Sequence, residues 1–119
     1  MYSGSCLCGA IGYTIHGHID RTSKCWCKMC QKQHGAAFGP YANVASATLE
    51  WVRGADTLAR FASSPGVERT FCPVCGSNLS WQMAAHSDRI AVTLGTFDTP
   101  FEGQVTHDLH LESKPGWLP

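Results

Sequence analysis

Short stretches in which apolar and polar residues alternate recur along the chain, and turn residues separate one stretch from the next. Alternation with a period of two is typical of β-strands that bury one face. The pattern predicts six strands, at residues 10–15, 47–52, 58–62, 68–72, 79–83 and 89–94. The clearest turn is at residues 63–66, SSPG, which combines residue types that favour tight reversals. Short and evenly spaced strands predict a compact, mainly β domain with antiparallel pairing.

One segment departs from this alternation. Residues 31–35, with the sequence QKQHG, follow Cys30 and predict a helical turn that stops at Gly35. The chain has no internal repeat, no low-complexity tract and no linker long enough to divide it. We therefore expect one domain over residues 1–119.

Composition and charge narrow the class of protein. Hydrophobic residues make up 44% of the chain and charged residues 15%, a balance that argues against disorder. The nine basic and nine acidic residues cancel, whereas nucleic-acid binders usually have a basic excess that neutralises phosphates. No apolar run approaches the roughly 20 residues of a membrane-spanning helix, and residues 1–6 lack the features of a secretory signal. We expect a cytoplasmic protein that binds neither nucleic acid nor membranes.

Seven cysteines are the main chemical signal in the chain. Thiols stay reduced in the cytosol, so cysteines there are more often metal ligands or reactive groups than disulfides. An odd count would leave one cysteine unpaired, and the two C-x-C pairs would form strained disulfides across a single intervening residue. We therefore interpret the cysteines as zinc ligands.

The cysteines fall into three groups along the sequence. Residues 6–8 form a C-x-C pair, residues 25–30 a C-x-C-x-x-C triplet, and residues 72–76 a C-x-x-C-G knuckle. Seven thiolates divide as four plus three, because a closed Cys₄ site is structural and three protein ligands leave one position open, as in catalytic zinc. The spacing of the cysteines alone does not distinguish between two ways of dividing them into a closed and an open site. The closed site is either Cys27, Cys30, Cys72 and Cys75, or Cys6, Cys8, Cys72 and Cys75.

The motifs around the cysteines resemble those of one family. They are GSCLCGAIGY at 4–13, CWCKMCQKQHGAAF at 25–38, RTFCPVCGSNLSW at 69–81, LGTFD at 94–98 and SKPGW at 113–117. Their order and spacing over nearly the whole chain are similar to those of the glutathione-dependent formaldehyde-activating enzymes, also called GFA or CENP-V domains. The resemblance implies an Mss4-like antiparallel β fold with zinc knuckles, and two zinc ions per chain.

The resemblance also implies ligand sets and an activity. The implied ligands of a structural zinc are Cys6, Cys8, Cys72 and Cys75, and those of a catalytic zinc are Cys25, Cys27 and Cys30. The family's named reaction is the reversible condensation of glutathione with formaldehyde to S-(hydroxymethyl)glutathione. The expected enzyme is therefore a carbon–sulfur lyase whose partner is glutathione or a related thiol. The alternative is a non-catalytic zinc module that binds glutathione or a protein partner. The sequence does not determine the oligomeric state, and a homo-oligomer is one of the options.

Some positions depart from the family pattern. Many members have a histidine where this chain has Trp26, and often another where it has Asp108. An indole cannot supply a proton at neutral pH, so the candidate acid–base group is His34, which follows the triplet. A closed Cys₃His site with His34 as its fourth ligand is the competing interpretation. Lys28 and Lys32 are candidates to meet the carboxylates of glutathione, with solvated side chains as the simpler interpretation.

Overall fold

The computed structural model describes residues 1–119 and consists mainly of short β-strands. The ten strands are β1 (Tyr2–Ser5), β2 (Gly12–Ile15), β3 (Arg21–Cys25), β4 (Gly39–Ala45), β5 (Leu49–Arg53), β6 (Ala59–Ser64), β7 (Val67–Phe71), β8 (Asn78–Met83), β9 (Arg89–Thr93) and β10 (His107–Leu109). One α-helix, α1 (Lys28–His34), lies between β3 and β4. The five short 3-10 helices are Ser46–Thr48, Ala55–Thr57, Ala84–His86, Leu94–Thr96 and Leu111–Ser113. The predicted mainly β fold is confirmed.

The strands form two sheets. One has three strands in the order β1-β2-β5, and the other has seven in the order β10-β3-β4-β9-β8-β7-β6. Every pairing is antiparallel except that of β10, which lies parallel to β3. This parallel pairing places Leu109 beside Cys25. The C-terminal segment (residues 107–119) therefore lies beside the end of β3 that carries the first cysteine of the triplet.

The main core lies between the two sheets. Tyr13 and Ile15 of the small sheet pack with Val44, Leu79 and Val92 of the large sheet, and all five side chains are buried. Because side chains alternate across a strand, the large sheet has a second face whose side chains point away from the main core. The smaller cluster buried on that second face consists of Cys25, Cys30, Tyr41 and Ala91. The cysteine triplet therefore lies outside the main core.

The sequence pattern predicts most of these elements. The six predicted strands correspond to β2 and to β5 through β9, with ends that differ by at most two residues. The predicted helical turn corresponds to α1, which ends as predicted at Gly35, whose left-handed φ of 59° suits a residue without a Cβ. The pattern does not predict β1, β3, β4 and β10, because polar residues, glycine or proline interrupt their apolar alternation. None of the helices is long and apolar enough to span a membrane.

Candidate metal centres

Four cysteines meet where two tight turns face each other. We call them the four-cysteine cluster: Cys6, Cys8, Cys72 and Cys75. Their sulfur atoms all lie within 4.8 Å of one another, and no disulfide joins them. The sulfurs of Cys6 and Cys8 are 3.7 Å apart, and those of Cys8 and Cys72 are 3.8 Å apart. Four sulfurs held tetrahedrally at about 2.3 Å from one zinc ion lie about 3.8 Å from each other, so these two separations match a zinc site.

The two turns of this cluster are built alike. Gly9 and Gly76 each have a φ of 82°, and each donates its backbone N–H to the carbonyl of the first cysteine of its turn, at 3.0 and 2.8 Å. The backbone N–H of Leu7 donates to the hydroxyl of Ser77 at 2.9 Å, which ties one turn to the other. Hydrogen bonds from the hydroxyl and the backbone N–H of Ser77 lower the pKa of Cys75 to about 5. The turn around Cys75 therefore favours, at that sulfur, the thiolate form that a metal requires.

The other three cysteines converge at the junction of β3 and α1. We call them the three-cysteine cluster: Cys25, Cys27 and Cys30. Cys25 ends β3, Cys27 precedes the first residue of α1, and Cys30 lies in the first turn of the helix. The sulfur of Cys27 accepts a hydrogen bond from the backbone N–H of Cys30 at 3.4 Å, as an N-cap side chain does. The seven cysteines thus gather as the second of the two partitions that spacing leaves open, and His34 lies outside the three-cysteine cluster.

A buried arginine contacts the three-cysteine cluster. Arg69 of β7 is only 3% exposed and makes no ion pair with a carboxylate. Its Nη1 and Nη2 atoms both lie 3.7 Å from the sulfur of Cys30. Nη1 also donates to Oε1 of Gln33 at 2.6 Å, and Nε donates to the hydroxyl of Ser63 at 3.0 Å. The Cys25 thiol and the Arg69 guanidinium together lower the pKa of Cys30 to about 5.

The charge of Arg69 matters for the metal that the three-cysteine cluster could hold. Three thiolates and one divalent cation carry a net charge of about −1. A buried charge is costly unless an opposite charge lies beside it. The guanidinium of Arg69 supplies that opposite charge, so the donor set fits a zinc ion in electrostatic terms as well.

A cavity of about 400 Å³ opens over the three-cysteine cluster. Its floor is the second face of the seven-stranded sheet, where the register places Arg21 opposite Asn43 and Trp81 opposite Arg69. Its apolar lining comprises Met29, Val67, Trp81, Met83, Ala91 and Leu109. A volume of this size is in the range of sites that bind small molecules. The three-cysteine cluster is therefore placed where a small ligand can reach it.

His34, the predicted acid–base group, does not line this cavity. Its Nε2 lies 2.8 Å from the hydroxyl of Tyr41, which does line the cavity and also accepts a hydrogen bond from Arg69 at 3.4 Å. Burial lowers the pKa of His34 and raises the pKa of Tyr41, so both side chains are uncharged at neutral pH. His34 therefore reaches the cavity only through Tyr41.

Trp26 is enclosed by the C-terminal segment. It is 4% exposed, and its indole N–H donates to Oδ1 of Asp108 at 2.8 Å. Its ring packs against Phe38 with the ring centroids 4.9 Å apart, and the ammonium groups of Lys24 and Lys114 lie 5.6 and 5.5 Å from it. The two positions that depart from the family pattern thus contact each other, and they hold the C-terminal segment beside the three-cysteine cluster.

The two lysines named as candidates from the sequence lie away from the cavity over the three-cysteine cluster. Lys28 and Lys32 line a separate surface hollow with Trp117, so they do not contribute to the cavity over the three-cysteine cluster.

Two residues of the site, Arg69 and Tyr41, are not among the candidates predicted from the sequence. The available signal for Arg69 is a charge at an inward position of an alternating strand, whereas nothing in the local sequence distinguishes Tyr41 from an ordinary core residue.

Comparisons with known proteins identify the family. The sequence model of the glutathione-dependent formaldehyde-activating enzymes matches residues 1–113. No curated protein matches the chain. Among solved structures, the crystal structure of a Rhodobacter sphaeroides protein has a similar fold, with a TM-score of 0.71 and 20% sequence identity over 88% of this chain and 98% of that chain. The chain therefore belongs to the glutathione-dependent formaldehyde-activating enzyme family.

Proposed function

We propose that this protein is a zinc-dependent carbon–sulfur lyase that interconverts a thiol and an aldehyde with their S-hydroxyalkyl adduct. Glutathione and formaldehyde, named in the family description, or a related thiol adduct, are the proposed substrates. The proposal rests on one contrast between the two clusters. Four sulfurs complete a tetrahedron, whereas three leave one position, and the three-cysteine cluster borders a cavity of about 400 Å³. The four-cysteine cluster would hold structural zinc and the three-cysteine cluster catalytic zinc.

The proposed reaction needs no oxidant or further reactant. In the condensing direction the thiol sulfur bonds to the aldehyde carbon, the carbon–oxygen π bond breaks, and the proton of the thiol passes to the oxygen. The reverse direction breaks the carbon–sulfur bond and returns the proton to sulfur. Zinc bound at the three-cysteine cluster would supply a Lewis-acidic position that favours the thiolate form of the substrate.

Residues of the cavity have two further tasks in this proposal. Arg69 offsets the negative charge of the three-cysteine cluster, which lowers the electrostatic cost of bringing another thiolate close. The hydroxyl of Tyr41 lines the cavity and exchanges a proton with the oxygen of the adduct. His34 acts through Tyr41 as a positioning residue, because its Nε2 lies 2.8 Å from that hydroxyl.

Zinc stoichiometry tests the assignment of the two clusters. Elemental analysis before and after mild chelation should give two zinc ions per chain, with one removed more readily. Cys27→Ser should retain one zinc and a native circular dichroism spectrum. The matched variant Cys72→Ser should lose the fold, because the side chain of Cys72 is fully buried in the main core. A single zinc whose loss in Cys27→Ser unfolds the protein would refute the assignment.

Exchange NMR spectroscopy tests the reaction itself. In a mixture of glutathione and formaldehyde, the wild-type protein should accelerate exchange between the free thiol and its hydroxymethyl adduct, and Cys27→Ser should not. Calorimetric binding of thiols without any acceleration would refute the lyase proposal in favour of a non-catalytic zinc module.

A further inference from the structure

The lining of the cavity over the three-cysteine cluster includes one exposed arginine, Arg21, that pairs with no carboxylate. No aspartate or glutamate lines it, and its basic side chains are Arg21, Arg69 and His110. The guanidinium of Arg69 contacts the sulfur of Cys30, and Nδ1 of His110 lies 3.5 Å from the carboxylate of Glu112. Arg21 makes no ion pair. A ligand of matching charge would therefore carry an acidic group for Arg21.

Arg21 lies at the opposite end of β3 from the three-cysteine cluster. It is four residues from Cys25, or about 13 Å along a strand that rises about 3.3 Å per residue. The two side chains share a face because side chains alternate along a strand. Asn43 pairs directly with Arg21 across β3 and β4 and also lines the cavity, so its amide is available to the same acidic group. Since the Arg21 side chain lines the cavity, a ligand shorter than the full separation can join the two ends.

The lining between these two ends is mainly apolar. Met29, Val67, Trp81, Met83 and Leu109 offer surface to a hydrocarbon chain or ring. An ammonium group in such a cavity needs an acidic partner, and the lining provides none. Glutathione carries two carboxylates, one ammonium group and two peptide bonds. The lining has no carboxylate and one unpaired arginine, so the ammonium group and one carboxylate of glutathione would lack a charged partner here.

We propose that the preferred thiol of this cavity is a mercapto acid with a single carboxylate and an apolar body. Its sulfur lies at the three-cysteine cluster, its hydrocarbon part packs along Trp81, and its carboxylate pairs with Arg21. This inference rests on the proposed function, because it takes a thiol as the group that the three-cysteine cluster binds.

Binding of two thiols of equal length tests the inference. Mercaptohexanoate and mercaptohexanol have carbon chains of the same length and differ in the terminal group, a charged carboxylate in one and a neutral hydroxymethyl group in the other. Glutathione serves as the third ligand. Isothermal titration calorimetry on the zinc-loaded wild-type protein should show mercaptohexanoate bound about fivefold more tightly than mercaptohexanol, the upper end for an ion pair with an exposed arginine. Arg21→Gln should bind both thiols equally, and Arg21→Lys should keep part of the preference. The control Arg60→Gln should keep all of it, because Arg60 pairs with Glu68 and does not line the cavity.

The possible outcomes separate this inference from the proposed function. Equal affinities in the wild type, a preference that survives Arg21→Gln, or tighter binding of glutathione than of mercaptohexanoate would each overturn the inference. None of these results concerns turnover, so each leaves the lyase proposal standing. If none of the three thiols binds the zinc-loaded protein, the thiol-binding function fails, and the inference fails with it.

Discussion

Replacement of Arg69 tests whether a buried guanidinium supports the three-cysteine cluster. Arg69→Met keeps most of the buried volume but leaves the thiolates without their compensating charge. At 3.7 Å, and with an effective dielectric constant of about 20, the attraction between unit charges is about 4 kcal/mol before desolvation is subtracted. Loss of a residue that supports metal ligands from outside typically weakens metal binding about 10- to 100-fold, or by about 1.4 to 2.7 kcal/mol. We expect a loss of zinc affinity in this range, at the three-cysteine cluster alone.

Competition with a chromophoric chelator would measure this loss, because it separates a tightly held zinc from a weakly held one. Arg69→Lys should give an intermediate affinity, since an ammonium group keeps the charge but cannot reach Cys30 and Gln33 with the same fork of donors. The control Arg60→Gln removes an arginine of an exposed ion pair and should leave both affinities unchanged. Unchanged zinc affinity in a folded Arg69→Met protein would refute the reasoning. If Arg69→Met does not fold, the Arg69→Lys protein provides the test. The reasoning would be refuted if its zinc affinity, and the dependence of that affinity on ionic strength, were the same as in the wild type.

Three further substitutions probe packing and chemistry. Asp108→Ala should lower the free energy of unfolding in a urea titration, because it removes the acceptor of the indole N–H of Trp26. Asp108→Asn keeps an acceptor and should lose less. Gly4→Ala should cost about 1–3 kcal/mol, because a Cβ there would lie 2.2 Å from the ring of Tyr13, and a wild-type melting temperature would contradict this packing. Tyr41→Phe should keep both zinc ions but lower kcat about 100-fold with little change in KM, and undiminished kcat would exclude its hydroxyl from proton transfer.

The sequence by itself was sufficient for the features that depend on neighbouring residues. Strands such as β8 and β9 were predicted because one apolar face leaves a period of two in the sequence. The helical turn was predicted because Gly35 marks its end with a left-handed backbone. The cysteine motifs were recognised because closely spaced cysteines can converge on one metal through a single turn.

Strands β3 and β4 show where the pattern of apolar residues stopped being informative. Both lie inside the seven-stranded sheet, yet they carry Ser23 and Asn43 toward the cavity, and β4 begins at Gly39 with Pro40 next to it. Their neighbours on both sides supply the hydrogen bonds and the buried surface that hold them in the sheet. That stabilisation comes from pairing with distant strands, so it leaves little trace in the local sequence.

Only the tertiary structure decided which groups share a site. The contacts between Cys8 and Cys72, between Cys30 and Arg69, and between Trp26 and Asp108 join residues 64, 39 and 82 positions apart. Local spacing sets the shape of a turn, whereas the order and register of the strands determine which turns meet. Spacing alone left the partition of the cysteines open, although the family resemblance implied it. The meeting of those cysteines, the charge beside Cys30 and the cavity above it are consequences of how the two sheets are assembled.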